Sequence, residues 1–311
     1  MGVVIEVASL RKAYGRVRAV EDVSFSVEQG EIFGLIGPNG AGKTTTLECV
    51  EGLRAPDAGE IQVLGLHPRR DHAALQHRVG IQLQEAHLQK RITVREAVEL
   101  WARLYFPRRA DREASVDPDR LLAQLGLQDK RQAWFMTLSG GQKQRLFIAL
   151  ALIHDPEIVF LDELTTGLDP QARRAIWDLV RGIKARGKTV VLTTHLMEEA
   201  ERLCDHVAIV DHGRIVDAGT PAALIGRHCP ERTLAVTTDD PRVSALLDTC
   251  PSVTSVERGD RHWVVRGQAS GLLDEVIACL AAHAVHVSEL QSQSATLEDV
   301  FIRTTGHAIR N

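Results

Sequence analysis

The chain has 311 residues, more than one hydrophobic core usually spans, so two domains of unequal size are expected. Its 37 lysines and arginines nearly balance 41 acidic residues, leaving a formal net charge of −4; the broad positive field of a nucleic-acid binder is missing, and no nucleic-acid partner is expected. The longest purely apolar run, Leu146 to Ile153, is far shorter than the roughly 18 residues that cross a bilayer, and five scattered cysteines without a CxxC pair argue against a disulfide framework or a zinc site.

The opening stretch MGVVIEVASLRKAYG lacks a charged start followed by an apolar segment and a cleavage site, so the chain is expected to stay in the cytoplasm. Short alternating strands are predicted at Ile5 to Leu10 and Val23 to Val27, as in an antiparallel sheet with one wet face. The character then changes. IFGLIG (Ile32 to Gly37), IVFLD (Ile158 to Asp162) and TVVLTTH (Thr189 to His195) are nearly unbroken apolar runs that end in polar residues. Such runs fit parallel strands buried on both faces, with chemistry at their carboxyl ends.

Between about Glu85 and Ile153 the spacing turns helical: Val94, Val98, Trp101 and Leu104, then Leu121, Leu122 and Leu125, recur every three or four residues. Arg91, Arg95, Arg103, Arg108, Arg109 and Arg112 make this insertion basic, either as a solvated face or as a surface near a membrane or a partner's loops. After His195 a short helix (Met197 to Cys204) and a hairpin turning at Asp211 to Gly213 are expected, then a boundary near Thr220 to Pro230. Beyond it the order strand (Thr233 to Thr237), helix (Val243 to Leu247), strand (Val253 to Val256), strand (Trp263 to Val265), helix (Leu272 to Leu280) and strand (Val285, Val287) is that of a ferredoxin-like α+β domain. A final helix is expected to open at a Thr296–Asp299 capping box and to stop near Gly306.

GPNGAGKT, Gly37 to Thr44, lies between an apolar strand and a segment beginning at Thr45 that is able to start a helix. Glycines at 37, 40 and 42 let backbone N–H groups curl around phosphate oxygens, Lys43 reaches the β- and γ-phosphates, and Thr44 offers a hydroxyl to Mg²⁺. Asp162 and Glu163 close the strand IVFLDE, where one carboxylate suits a metal and the other a base for the attacking water. Alone, such an acidic pair is more often a solvated turn; the four hydrophobes leading into it and the TTGLD that follows give it weight. A second glycine loop, LSGGQ (Leu138 to Gln142), precedes an apolar helix, so Ser139 and its following N–H groups form another anion site; a plain helix cap would leave Gly-Gly-Gln unexplained.

Across roughly its first 220 residues the chain resembles the ATP-binding subunits of ABC transporters. The resemblance implies an α/β P-loop NTPase core with a mixed sheet and a helical subdomain at about 86–153, followed by the accessory α+β domain at 231–311. It implies that Gly37, Pro38, Asn39, Gly40, Ala41, Gly42, Lys43, Thr44 and Thr45 hold ATP, with Tyr14 stacked on adenine. Asp162, Thr44 and the glutamine Gln84 would bind Mg²⁺, with Gln82 the lesser candidate for that glutamine; Glu163, His195, Gln84 and Lys43 would act in hydrolysis. Ser139, Gly140, Gly141 and Gln142, with Asp169 of TTGLD, would close over a nucleotide held by the other subunit of a head-to-tail homodimer. Leu164 departs from that family's usual proline after the glutamate, which puts the local backbone in question. The ending TLEDVFIRTTG is similar to the export branch that serves drug resistance and lipid-linked export, and implies a separate integral membrane permease that would hold this chain, as a peripheral subunit, at the inner face of the cell membrane. The alternative is a soluble ABC ATPase acting on ribosomes or nucleic acid; such chains usually carry two sets of these motifs, and this one carries one.

Overall fold

The computed structural model describes residues 2–82, 88–106, 117–259, 262–268 and 271–307, which divide along the chain into two compact units between Pro221 and Ala222. The first contains a nine-stranded sheet in the order β4-β1-β2-β9-β8-β3-β7-β6-β5. Its antiparallel side is β1 (Val3–Tyr14), β2 (Val17–Glu28) and β4 (Ala58–Val63). Ile5, Val7 and Leu10 of β1 point into the core while Glu6 and Arg11 do not. A bulge at Ser9, φ +47, supplies the extra residue that keeps Leu10 on the inner face.

The parallel side is β3 (Ile32–Ile36), β5 (Val79–Gln82), β6 (Ile158–Asp162), β7 (Thr189–Thr194) and β8 (His206–Asp211). Every residue of β3, β6 and β7 is buried, as expected for strands covered on both faces. The expected hairpin joins β8 to β9 (Arg214–Gly219) through His212 and Gly213, both at positive φ, the conformation that matches a two-residue turn to strand twist.

The helices that position the site are α1 (Lys43–Val50), α2 (His72–Leu75), α3 (Val94–Tyr105), α4 (Pro118–Gln124), α5 (Gly140–Leu152), α6 (Pro170–Ala185) and α7 (Met197–Leu203). In α3 the buried stripe runs through Val94, Ala97, Val98 and Ala102. Leu104, expected on that stripe, is exposed, and Trp101 is half-buried; the buried line runs through Ala97 and Ala102 in place of these large side chains. Of the six arginines of the insertion, Arg108, Arg109 and Arg112 lie outside the described residues; Arg95 pairs with Glu99 at 2.7 Å and Arg91 lies over the Trp134 ring.

Helix α8 (Pro221–His228) starts at the last residue before the boundary between the units, and the second unit has an antiparallel sheet of β10 (Glu231–Thr237), β11 (Val253–Arg258), β12 (Trp263–Gln268) and β13 (Glu289–Gln293), in the order β11-β12-β10-β13. With α9 (Val243–Leu247) and α10 (Leu272–Ala282) this is the split βαβ arrangement, with a core of Leu234, Val236, Val265, Val276 and Leu280. The last strand lies later than expected. Val285 is drawn into the core by the turn that ends α10, where its N–H donates to Leu280, and pairing starts only at the polar stretch ELQSQ on the sheet edge. Helix α11 (Leu297–Thr305) has the anticipated capping box, Thr296 with Asp299, and stops at Gly306 in the left-handed conformation.

Candidate functional site

Strand β3 delivers the chain into the 37–42 loop. A Cβ at Gly37 would sit 2.1 Å from the Val210 carbonyl oxygen, and one at Gly42, where φ is +101, would sit 2.2 Å from that of Ala19, so both positions require glycine. Gly42 caps α1 without any side-chain hydrogen bond, which leaves the first N–H groups of the helix open toward the loop. Lys43 is buried and its ammonium donates to the Gly37 and Pro38 carbonyls at 2.8 and 2.9 Å, so it runs back along the loop interior. Burial pushes its pKa down, opposed by the nearby carboxylates of Glu163 and Asp162.

Parallel register brings the other groups to the same level. β7 lies between β3 and β6, pairing Thr194 with Ile36 and Thr193 with Asp162, so all three strands end together. Asp162 is buried; burial raises its pKa, while hydrogen bonds from Thr193 and Thr44 oppose the rise. One oxygen, Oδ1, accepts from the Thr193 hydroxyl and, at 3.4 Å, from the Thr44 hydroxyl. Glu163 takes a positive φ of 46°, its N–H donates to Thr193 Oγ1 at 3.1 Å, and its Oε2 accepts from Thr166 Oγ1 at 3.3 Å. His195 Nδ1 lies 3.8 Å from Glu163 Oε1, within ion-pair reach and beyond a hydrogen bond.

Ser139 N-caps α5, accepting from the Gln142 N–H at 3.3 Å, while Gln142 Oε1 accepts from the Ser139 N–H at 3.0 Å. The capping box therefore accounts for Gln142 locally, contrary to the expectation that a cap leaves it unexplained. The glycines are accounted for in part by packing: a Cβ at Gly141 would come within 3.1 Å of Ala172, and one at Gly140 within 3.3 Å of Leu168. Ser139 and Gly140 are exposed, and among the described residues no hydrogen bond joins this loop to the 37–44 loop. Asp169 caps α6 through the Ala172 N–H at 2.8 Å. Tyr14, at the end of β1, is exposed and flanked by the cations of Lys12 and Arg54, 5.7 and 5.2 Å from its ring centre. Gln84 lies outside the described residues; Gln82 is buried at the carboxyl end of β5, opposite Leu161.

Sequence reasoning missed Thr193, whose hydroxyl touches both acidic residues, and Glu199 and Thr165, which join the site's loop to two helices. The signal for Thr193 was its place at the end of the apolar run VVLTTH, two residues before the histidine. Together, a helix N-terminus, a buried ammonium, two adjacent carboxyl groups and an imidazole suit the binding and hydrolysis of a phosphoanhydride.

Residues 20–166 match the family described as ABC transporter. The chain is 41% identical over 317 aligned positions to a Nod factor export ATP-binding protein I from Paraburkholderia xenovorans, covering 99% of this chain and 98% of that one. It is 40% identical to the protein of the same name from Ralstonia nicotianae, over 99% and 95% of the two chains. Among solved structures it is similar to an ATP-binding subunit of an ABC transporter, at 32% identity and a TM-score of 0.63, over 72% of this chain and 92% of that one. It is also similar to an ATP-binding cassette described as a dimeric post-hydrolysis state bound to ADP and Pi, at 26% identity and a TM-score of 0.61, over 70% and 98%.

Proposed function

The chain belongs to the ATP-binding proteins of the ABC transporter family, and from that membership we propose how its residues divide the work of an exporter ATPase. It is an ATP-hydrolysing subunit of an export system, as its relatives are named for Nod factor export. No helix among the described residues is long and apolar enough to cross a membrane. The relatives named as ATP-binding proteins of an export system support a place at the inner face of the membrane, on a separate permease subunit that carries the cargo path. The accessory domain, 231–311, acts in assembly with that permease or in dimer stability.

The observation that carries the assignment is the shared level of Lys43, Thr44, Asp162, Glu163 and His195 at the ends of three adjacent strands. Lys43 and the N–H groups at the start of α1 bind the β- and γ-phosphates of ATP. Thr44 Oγ1 and Asp162 Oδ1 converge at 3.4 Å, a hydroxyl and a carboxyl oxygen that fit a small hard cation, so these two residues hold Mg²⁺, joined by Gln84. When bound, the ion neutralises phosphate charge. Glu163 accepts the proton of the attacking water, and His195, beside its carboxylate, holds the γ-phosphate side of the site. Tyr14 stacks on adenine.

Two copies pack head to tail, and Ser139 with Gly140 and Gly141 of one closes on the nucleotide held by Lys43 of the other, with Asp169 at the seam. Support comes from the exposure of Ser139 and from the N–H groups of Gly140 and Gly141, which the Ser139–Gln142 capping box leaves open. Glu163→Gln keeps the side chain's shape and removes its basicity, so the variant is expected to bind ATP without splitting it and to form a dimer with ATP that disperses with ADP. Adding Ser139→Arg is expected to abolish the dimer and leave ATP binding intact. Light scattering of both variants, alone and with the permease, checks this; a Glu163→Gln complex that binds ATP without closing the dimer contradicts the shared site.

A further inference from the structure

Glu163 is held in a conformation that L-residues rarely adopt, φ +46. Leu164 follows it, so no proline ring stiffens the backbone there. The direct restraints on Glu163 from its own loop are long: the Thr166 N–H reaches its carbonyl at 3.4 Å, and the Thr166 hydroxyl reaches its carboxylate at 3.3 Å. A tighter anchor lies two residues on. The Thr165 hydroxyl donates at 2.8 Å to Glu199 Oε1, and the Trp177 indole N–H donates at 2.9 Å to the same oxygen. Glu199 and Thr165 are each 1% exposed.

These bonds join three elements. Thr165 belongs to the loop that carries Glu163, Trp177 to α6, and Glu199 to α7, which starts two residues after His195. Burying a carboxyl group for stability alone is poor chemistry, because a well-packed apolar trio of the same volume does as well. A buried carboxyl oxygen that accepts from two separate elements instead fixes one geometry. Here the geometry it fixes is that of the Glu163 loop against the segment bearing His195, whose imidazole lies 3.8 Å from the Glu163 carboxylate.

We infer that Glu199 is a positioning residue for ATP hydrolysis: by holding Thr165 and Trp177 on one oxygen it sets the loop that presents Glu163 to the attacking water. This rests on Glu163 being the base, as proposed above. Glu199 is 1% exposed and accepts from Thr165 and Trp177, so it acts on the site through Thr165. Misplacing a reacting group by about an ångström costs on the order of 100-fold in rate, and binding by Lys43 is untouched, so the loss falls on kcat and not on KM.

The test is steady-state and single-turnover ATP hydrolysis by the full chain with its permease, alongside nucleotide affinity. Glu199→Ala is expected to lower kcat by roughly 10- to 100-fold and to leave KM and nucleotide affinity within about twofold. Glu199→Gln, whose amide oxygen accepts both bonds, is expected to recover kcat to within about threefold of the native chain. In the Glu163→Gln background, Glu199→Ala is expected to remove little more, because the group it positions is already disabled. Thr165→Val and Trp177→Phe each delete one bond without opening a large cavity, and serve the same test if Glu199→Ala does not fold; each is expected to lower kcat at constant KM. The inference is overturned if kcat survives these changes, if kcat falls together with nucleotide affinity, if Gln fails to rescue, or if the loss is as large in the Glu163→Gln background. Full turnover by Glu163→Gln alone would instead sink the base assignment, whatever Glu199 does.

Discussion

Glu51 ends helix α1 at 7% exposure, beside Leu75, Ile81, Trp101 and Tyr105 in a groove of about 380 Å³ whose described lining includes no lysine or arginine. Burial first, then the charges of Asp162 and Glu48, push its carboxyl group from the ordinary 4.5 up to about 8. At neutral pH the folded protein therefore holds the protonated acid, whereas the unfolded chain holds the carboxylate. The folded state binds the proton more tightly, so this group's contribution is complete below pH 4.5, declines as pH rises and levels off above about 8. At about 1.4 kcal/mol per pH unit the whole decline is roughly 5 kcal/mol, of which roughly 3 kcal/mol is already lost at pH 7. Glu51→Gln keeps the shape and never ionises. It is expected to stabilise the first unit by roughly 3 kcal/mol at pH 7, which for a unit of this size is roughly 6–12 °C in Tm. Urea unfolding of the two proteins at pH 5, 6, 7 and 8.5 measures the difference, in which groups common to both cancel. The advantage of the variant is expected to grow with pH up to about 8 and then hold constant. A difference that does not change with pH, or a variant less stable throughout, would refute the reasoning.

Tyr14→Ala is expected to raise the KM for ATP several-fold, on the order of 1 kcal/mol of stacking, with kcat little changed, because stacking is equal in ground and transition states; a fall in kcat at constant KM contradicts the adenine role. Gly42→Ala is expected to destabilise by more than the roughly 1–3 kcal/mol of left-handed strain, since its Cβ also meets the Ala19 carbonyl oxygen at 2.2 Å, and to abolish nucleotide binding. Gly40→Ala, at φ +81 with no atom within 4 Å of its Cβ, is expected to cost only the strain, and thermal unfolding of the pair reads the difference. Equal stability of the two variants would show that the close contact is relieved without cost.

Local pattern was enough to place the strands β3, β6 and β7, the β8–β9 hairpin and the capped ends of α11, because side-chain period, turn chemistry and capping act within a few residues. The phosphate loop was legible for the same reason: its strand, glycines, lysine and helix are contiguous. Tertiary structure decided what met it. Asp162 and Thr193 lie over a hundred residues from Lys43, and only the parallel register of β3, β7 and β6 sets them at one height. The positive φ of Glu163, the convergence of Thr165 and Trp177 on Glu199, and the high proton affinity of Glu51 likewise left no mark in spacing. Each arises from burial and from hydrogen bonds between distant segments, and a sequence pattern records which face of an element is apolar, not which polar group of another element will be enclosed beside it.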